Sequence, residues 1–420
     1  MAQQVAHRDT VTTRSRPSTP GSERFCDVAE LALASVSDPA DYRISLHNDL
    51  DSCAVAWRLF EQEAHATAFQ QHAWLESWMR TVGAARGVEP CIVFVRDAGG
   101  QLVMILPLAV EKVLGFTTLV WMAQDEADYN APLVRRGWDS KMTPAEVSRI
   151  LRCVAESVPD VHAFRLMKTL TTVEDAPVAL TWLKHSPHPS AGHSITLTGD
   201  DFDSYYMSVR SKSTRKRDRQ RRRRLEESGT LAFTIAETPA DQHVLLDRIL
   251  TQKASWFEAR GISNPFDDAD VLASLHALID STAARQSLHV SGLMLDGQLL
   301  AGNFGYLRGD RFYAVIGSVT DGEAARHSPG TIHLHELMRW CYLSGIRAFD
   351  LTVGDEGYKK DWCDVRHELI DIRLPLSMAG LLLTLPCQIK GDLKRRIKAS
   401  PRLYNAALSL RRFFRSLTPA

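Results

Sequence analysis

The sequence predicts an α/β chain of the α+β kind, built as two halves in tandem, each a mixed, mainly antiparallel sheet flanked by helices. Three observations predict it. Three strands joined by tight turns, then a helix, then a strand, occur in that order over residues 91–168 and again over 288–353. A Gly-Gln-Leu turn stands at equivalent places in the two runs, at 100–102 and 297–299. A chain of 420 residues with 45% hydrophobic content has enough apolar side chains for more than one core.

Residues 1–40 are expected to be a disordered tail, because the first 25 are polar, rich in Ser, Thr, Arg and Pro, and lack the apolar stretch of a secretory signal. No apolar run reaches the roughly 18 residues of a membrane span. Cys26, Cys53, Cys91, Cys153, Cys341, Cys363 and Cys387 are scattered, with no CxxC pair and no histidine at ligand spacing. That pattern predicts reduced thiols in a cytoplasmic protein, without a disulfide framework or a metal site.

The first half is placed at 41–195. A helix is expected over 53–63 and a second over 69–83, whose Trp74, Trp78 and Met79 mark an apolar face directed at the core. Strands follow at 91–97, 102–110 and 115–123, with a Gly99-Gly100 turn, then a helix at 143–157 and a strand at 162–168. The segment QDEADYNAPLV (124–134) precedes that helix, and its acidic character repels a pyrophosphate. Asp125, Asp128, Tyr129 and Asn130 either face an acceptor substrate or form a solvated loop.

The second half is placed at 196–375. From Arg210 to Arg224 ten of fifteen residues are Lys or Arg, and Asp218 is the single acid. The formal net charge of the chain is zero, so this run concentrates positive charge in an otherwise acidic protein. No apolar residue stands between Val209 and Leu225, so a helix there has no face to bury. Three readings compete: a solvated helix, a nucleic-acid or membrane-surface patch, and a phosphate-binding wall. Thr238, Pro239 and Asp241 start a helix that runs to Gly261, and a loop at 262–268 leads to a helix at 270–284. Strands at 288–295, 298–307 and 311–319 are joined by turns at Asp296-Gly297 and Gly309-Asp310.

Ser328 is expected to cap a helix beginning at Pro329, which leaves the Gly330 and Thr331 amides pointing outward as a seat for a pyrophosphate. Leu334, Leu337, Met338 and Cys341 form its buried stripe, and Gly345 ends it. Phe349, Leu351 and Val353 alternate with Asp350 and Thr352 in a strand, after which Gly354-Asp355 turns the chain toward Tyr358, Lys359 and Trp362. Residues 376–420 form a basic tail with Leu, Phe and Tyr interspersed. It is read as a helix closing the core, a docking segment, or an amphipathic helix on a membrane surface.

The runs GQLLAGNFGYLRGDRFYAVIGS (297–318), SPG (328–330) and FDLTVGDEGYK (349–359) resemble the bacterial acetyltransferase family associated with cellulose and exopolysaccharide synthesis, called CelD/BcsL. The resemblance covers most of residues 45–370, and the order of meander, phosphate-binding helix start and strand is similar to acyl-CoA N-acyltransferases of the GNAT type. The basic stretch SKSTRKRDRQRRRRLEESG (211–229) is similar to a helix of CelD/BcsL proteins and, more distantly, to one of the Fem peptidyltransferases, which use aminoacyl-tRNA.

The resemblance implies tandem GNAT-like halves and transfer of an acetyl or other acyl group from acyl-CoA to an amine or hydroxyl of a sugar, lipid or polysaccharide precursor. It implies acetyl-CoA or another acyl-CoA as co-substrate, no metal, and a place in the cytoplasm, either free or peripheral to the inner membrane. A Fem-like aminoacyltransferase using tRNA and a non-catalytic binder of anionic ligands are the competing readings. Ser328, Gly330 and Thr331 are the candidate donor-binding residues. Asp350 or Asp355 is the candidate base, Tyr358 the acid for the departing thiolate, and Lys359 a phosphate ligand or partner of Asp355. The alternative is an ion-paired structural turn, Asp355 with Lys359 and Asp350 with an arginine of the basic helix. Asp128, Tyr129, Asn130, Trp256 and Arg215 are candidates for contact with the substrate, with Arg260 and Asn264 beside them. His333 and His335 are read as packing or surface residues, and Cys341 and Cys363 as unactivated thiols.

Overall fold

The structure is a computed structural model that describes residues 30–32 and 42–386. The tail expected over 1–40 therefore lies outside the described residues except for Glu30–Ala32. Those three form an edge strand, a departure from the disorder expected there. Residues 387–420 of the expected basic tail also lie outside. Residues 378–386 are helical, with Met378, Leu381, Leu382 and Leu385 exposed and Leu383 buried. No helix among the described residues is long and apolar enough to cross a membrane.

The first sheet contains β1 (Arg43–His47), β2 (Glu89–Arg96), β3 (Leu102–Val113), β4 (Phe116–Trp121) and β5 (Val161–Leu170). They are antiparallel neighbours in that order, except that β4 and β5 run parallel across α3 (Pro144–Ser157). The second sheet repeats the scheme. Its strands are β6 (Gly192–Thr196), β7 (Leu231–Ile235), β8 (Leu288–Leu295), β9 (Gln298–Arg308), β10 (Arg311–Val319) and β11 (Ala348–Val353). Here β10 and β11 are the parallel pair, joined by α8 (Pro329–Leu343), and the order is β7-β8-β9-β10-β11-β6 with Val365–His367 at the edge.

The two sheets exchange strands. β12 (Leu369–Pro375) lies late in the chain yet pairs with β5 of the first sheet, and β6 pairs with β11 of the second. The boundary expected at 195/196 thus runs through β6. Pairing between segments so far apart has no local sequence signal; it is decided by which edge offers unpaired backbone groups.

Helix ends follow capping chemistry. Asp49 accepts from the Asp51 and Ser52 amides at the start of α1 (Leu50–Glu63), and Thr143 with Glu146 forms a capping box on α3. Thr238 caps α6 (Pro239–Ala259), with Pro239 at its first position. The helix expected over 69–83 is instead three pieces: a 3-10 turn at Ala68–Gln70, α2 (His72–Trp78) and a π turn at Met79–Gly83. The Thr67–Gln70 capping box closes the first turn, and Gln71 is extended with ψ 140°, which breaks the helix. The helix expected over 270–284 ends earlier, as α7 (Ala269–Asp280).

Phe312 and Tyr313, neighbours in β10, point to opposite faces of the second sheet. On one face α8 and α4 (Phe202–Val209) pack over Phe312, Leu337, Met338 and Phe349. On the other, α6, α7 and the whole first half form one continuous core that includes Trp74 and Trp78. The halves therefore share a core. Arg308 strengthens the joint by donating to the carbonyls of Glu61 (3.0 Å), Ala64 (2.8 Å) and Ala66 (2.8 Å).

Candidate donor and acceptor sites

β10 and β11 pair only over Arg311↔Ala348, Phe312↔Phe349 and Tyr313↔Asp350. β10 then continues to Val319 and β11 to Val353 without pairing to one another, so a gap opens toward their C-terminal ends. A bulge at Val315, where Phe304 faces Ile316 and Gly305 faces Ala314, bends β10 away at that level. Unpaired strand ends beside a crossover helix are where α/β folds gather ligands.

On the α8 face a cavity of 380 Å³ lies between the start of α8 and α5 (Lys212–Glu226). Arg215, Arg219 and Arg222, spaced four and three residues apart on one stripe of α5, line it together with Tyr206, Thr331 and His335. Leu225, 1% exposed, packs in the same apolar cluster as Ile332 of α8 and orients the arginines. Arg222 donates to Glu336 and Glu226, and His335, 3.6 Å away, together with Arg222 holds the Glu336 carboxyl down at about 2. Arg215 donates to the Met207 carbonyl at 2.8 Å. Arg223, on the other side of the helix, is 80% exposed and pairs with Glu227. One stripe of the basic run thus faces a cavity, while another is solvated.

The helix start differs from the expected seat. Ser328 adopts a left-handed conformation (φ 51°, ψ 56°) and its side chain caps nothing. In that conformation its own carbonyl accepts from the Thr331 amide at 3.0 Å, so this N–H is not displayed. Gly330 is required by close approach: a Cβ there would stand 2.7 Å from Val319 Cγ2. The Thr331 side chain does line the cavity, and the arginines supply the positive charge.

On the opposite face the strand end meets the first half. Asp350 is 1% exposed, and its Oδ1 accepts from the Tyr129 hydroxyl (2.9 Å) and the Thr352 amide (2.8 Å). Its Oδ2 accepts from Arg311 at 3.2 Å, with His367 Nε2 at 3.7 Å. The arginine beside Asp350 therefore comes from β10, not from the basic helix. Both carboxylate oxygens thus accept hydrogen bonds from the protein, which fits a scaffold. Gly192 admits the tyrosine, since a Cβ there would lie 2.1 Å from Tyr129 Oη. Tyr129 is 1% exposed, in an aromatic cluster with Phe69 and Tyr313; the segment around it is not a solvated loop.

Asp128 lies next to that tyrosine, with Thr352 beside its carboxylate. Burial pushes its carboxyl above the usual range, against the pull of Lys168 and Lys359. Thr352 holds φ at 57°, a strained conformation for a β-branched residue that bends the end of β11. Lys359 donates to the Thr352 carbonyl (3.3 Å) and pairs with Glu356 at 3.0 Å. Asp355 stands 3.9 Å from His193 on the half-exposed lip, and Tyr358 is 49% exposed there. Lys253 of α6 reaches the gap from below and donates to the Gly317 carbonyl at 3.1 Å, and burial lowers its pKa. Lys168 donates to the Asp125 and Ala127 carbonyls, and burial lowers its pKa likewise.

Tyr129, Asp128, Asp350 and Lys359 are thus brought together, although 221 residues separate Tyr129 from Asp350. Trp256 joins the cluster's edge, stacked under Lys253 (4.8 Å) and Arg260 (4.1 Å). Asn130 does not join it: its amide donates to the Met167 carbonyl within the first sheet. Asn264 caps a local turn at Phe266. Lys253, Lys168 and Arg311 went unnoticed in the sequence, where isolated basic residues look like ordinary surface; only Lys253, one helical turn before Trp256, carried a usable hint. Cys341 and Cys363 have thiols raised by burial, Cys363 to about 12.

Residues 212–360 match the family model described as an acetyltransferase (GNAT) domain, a span that begins at α5 and ends just past the strand-end turn. That span, about a third of the chain, is what is similar to a GNAT acetyltransferase domain. Among solved structures it is similar to FemX, at 12% identity over 77% of this chain and 96% of that one, with a TM-score of 0.52. It is also similar to L-PGS from Bacillus licheniformis (11% identity, 80% and 96% covered, TM-score 0.46). A tandem GNAT protein from the clavulanic acid biosynthesis pathway gives 12% identity, 80% and 99% coverage and a TM-score of 0.41. At such identities the likeness to FemX speaks to fold alone, and the fold is α/β with tandem GNAT-like halves. No curated protein matches the chain.

Proposed function

We propose that the protein transfers an acyl group from acyl-CoA to an amine or hydroxyl, with the donor on the α8 face and the acceptor in the cleft between the halves. The observation that carries this reading is the three-arginine cavity at the start of α8, beside the gap between β10 and β11. Guanidinium groups on one stripe suit a phosphate-bearing donor. In this reading the acyl carbonyl enters the gap and the acceptor approaches from the Asp128 side. Asp128 takes the acceptor proton as the new bond forms at the carbonyl carbon. The tetrahedral adduct then collapses, the C–S bond breaks, and the thiolate leaves with a proton from Tyr358. Asp350 holds Tyr129 and Arg311 in place, and Lys359 holds the strand end. A sugar, lipid or polysaccharide precursor as acceptor rests on the resemblance of the 297–318 and 349–359 runs.

One observation favours a second reading. Arginines outside the cavity, such as Arg223, extend the positive surface along α5, as a longer polyanion carrying the acyl group, an aminoacyl-tRNA, would require. The test is release of free thiol from acetyl-CoA in the presence of amino sugars, glycans and lipid-linked sugars. Acceptor-dependent release that falls about 10²–10⁴-fold in Asp128→Asn supports the proposal. Turnover only with aminoacyl-tRNA supports the second reading.

A further inference from the structure

A cluster outside both sites joins α6 to α7. His243 and Asp247 stand one turn apart on α6, and His276 and Asp280 one turn apart on α7. The pairs cross: His243 Nε2 lies 2.9 Å from Asp280 Oδ1, and His276 Nε2 lies 3.2 Å from Asp247 Oδ1. The two Nδ1 atoms face each other at 2.6 Å. The ring centroids are 4.9 Å apart and the rings are tilted by 23°. That separation is the Nδ1 contact plus the radius of each ring, so the imidazoles lie edge to edge, nearly coplanar.

The proton inventory follows from these contacts. An ionised carboxylate only accepts, so both Nε2 atoms carry hydrogen. Two Nδ1 atoms at hydrogen-bond distance need one proton between them, no more and no fewer. The pair therefore holds three ring protons, and each imidazole has a carboxylate behind it. Carboxylate-backed imidazoles whose remaining nitrogens converge on one point are how proteins orient histidines toward a metal.

We propose that His243 and His276 form a two-histidine site for a divalent transition metal such as Zn²⁺, Co²⁺, Ni²⁺ or Cu²⁺, which binds both Nδ1 atoms and displaces the shared proton. Charge and mass balance: one ion enters, one proton leaves, and the Nε2–H groups stay on Asp280 and Asp247. Among the described residues no group of three or more His, Cys, Asp or Glu is arranged around a metal, so water fills the remaining positions. Tetrahedral coordination at about 2.0–2.1 Å per nitrogen sets the two nitrogens about 3.3 Å apart, so the rings part by roughly 0.7 Å and each turns by roughly 35° about its carboxylate-bound Nε2 to aim Nδ1 at the ion. The side chains are 28% and 27% exposed, which gives an ion access and leaves room for that shift. Nitrogen donors select these borderline ions over Mg²⁺ and Ca²⁺. Occupancy clamps α6 to α7, and α6 carries Lys253, ten residues on and about 15 Å along the helix, into the acceptor cleft.

The test is calorimetric titration of the full chain, stripped with chelator, with ZnCl₂ and CoCl₂ at pH 7 in two buffers of different ionisation enthalpy. One ion per chain is expected at this site, with release of about one proton. His243→Gln and His276→Gln each weaken binding at least tenfold, and Asp280→Asn weakens it by about 10–100-fold. Melting temperatures without metal confirm that these surface variants stay folded. Absence of saturable binding, or binding unchanged in both histidine variants, overturns the proposal.

Discussion

Asp350 and Asp128 lie on the same face of one gap and divide two roles that a sequence assigns to any carboxylate at a strand end. Asp350 has four polar partners and almost no exposure, so its removal is felt by the fold. Asp350→Asn is expected to cost about 2–3 kcal/mol, because charged hydrogen bonds from Arg311 and Tyr129 are weakened in a buried site; chemical denaturation reads this directly. Asp128→Asn is expected to leave stability nearly unchanged and to lower turnover. Its pKa is raised, so the active form is the deprotonated one above that value. The rate of the wild type should fall as pH falls through a point above the ordinary carboxylate range, and a pH–rate profile measures it. Asp350 was visible in the sequence as a carboxylate inside a strand. The partners it finds were not, since they come from residues 129, 311 and 367.

At the scale of elements, α1 meets the second half through a buried glutamate. Glu61 is 5% exposed, accepts the His72 amide, and has its pKa raised by burial to about 7. Its folded value lies above its unfolded value of about 4.3. The folded state therefore binds the extra proton between these values, and the stability it contributes is present below pH 4 and lost as pH rises toward 7. Glu61→Gln should flatten the pH dependence of the melting temperature in that window, and an unchanged slope would place the titration elsewhere. Caps and periodicity made most elements legible: Thr238 before α6, Pro329 at the start of α8, and the Asp296-Gly297 hairpin all stand where the local chemistry puts them. The broken helix at 68–83 and the left-handed Ser328 were not legible, because each is imposed by packing on distant chain.

At the scale of the molecule, the exchanged strands β6 and β12 and the common core make the halves one unit. Calorimetry is expected to show a single unfolding transition. Arg308→Ala, which strands three carbonyls of the other half, should lower the whole transition by about 3 kcal/mol and not split it. The sequence's repeated order of meander, helix and strand predicted two sheets, and the exchange between them escaped it because pairing across more than about 150 residues leaves no periodic trace. The exchange also sets Asp128 and Tyr129 of the first half against the open end of β11, opposite the arginines of α5, as the proposed function requires. The measurement that bears most directly on this arrangement is calorimetric titration with acetyl-CoA of the wild type and of Arg219→Glu. Saturable one-to-one binding, weakened at least tenfold by the charge reversal, is the expected result. Equal affinity in the two proteins, or no binding by the wild type, would contradict it.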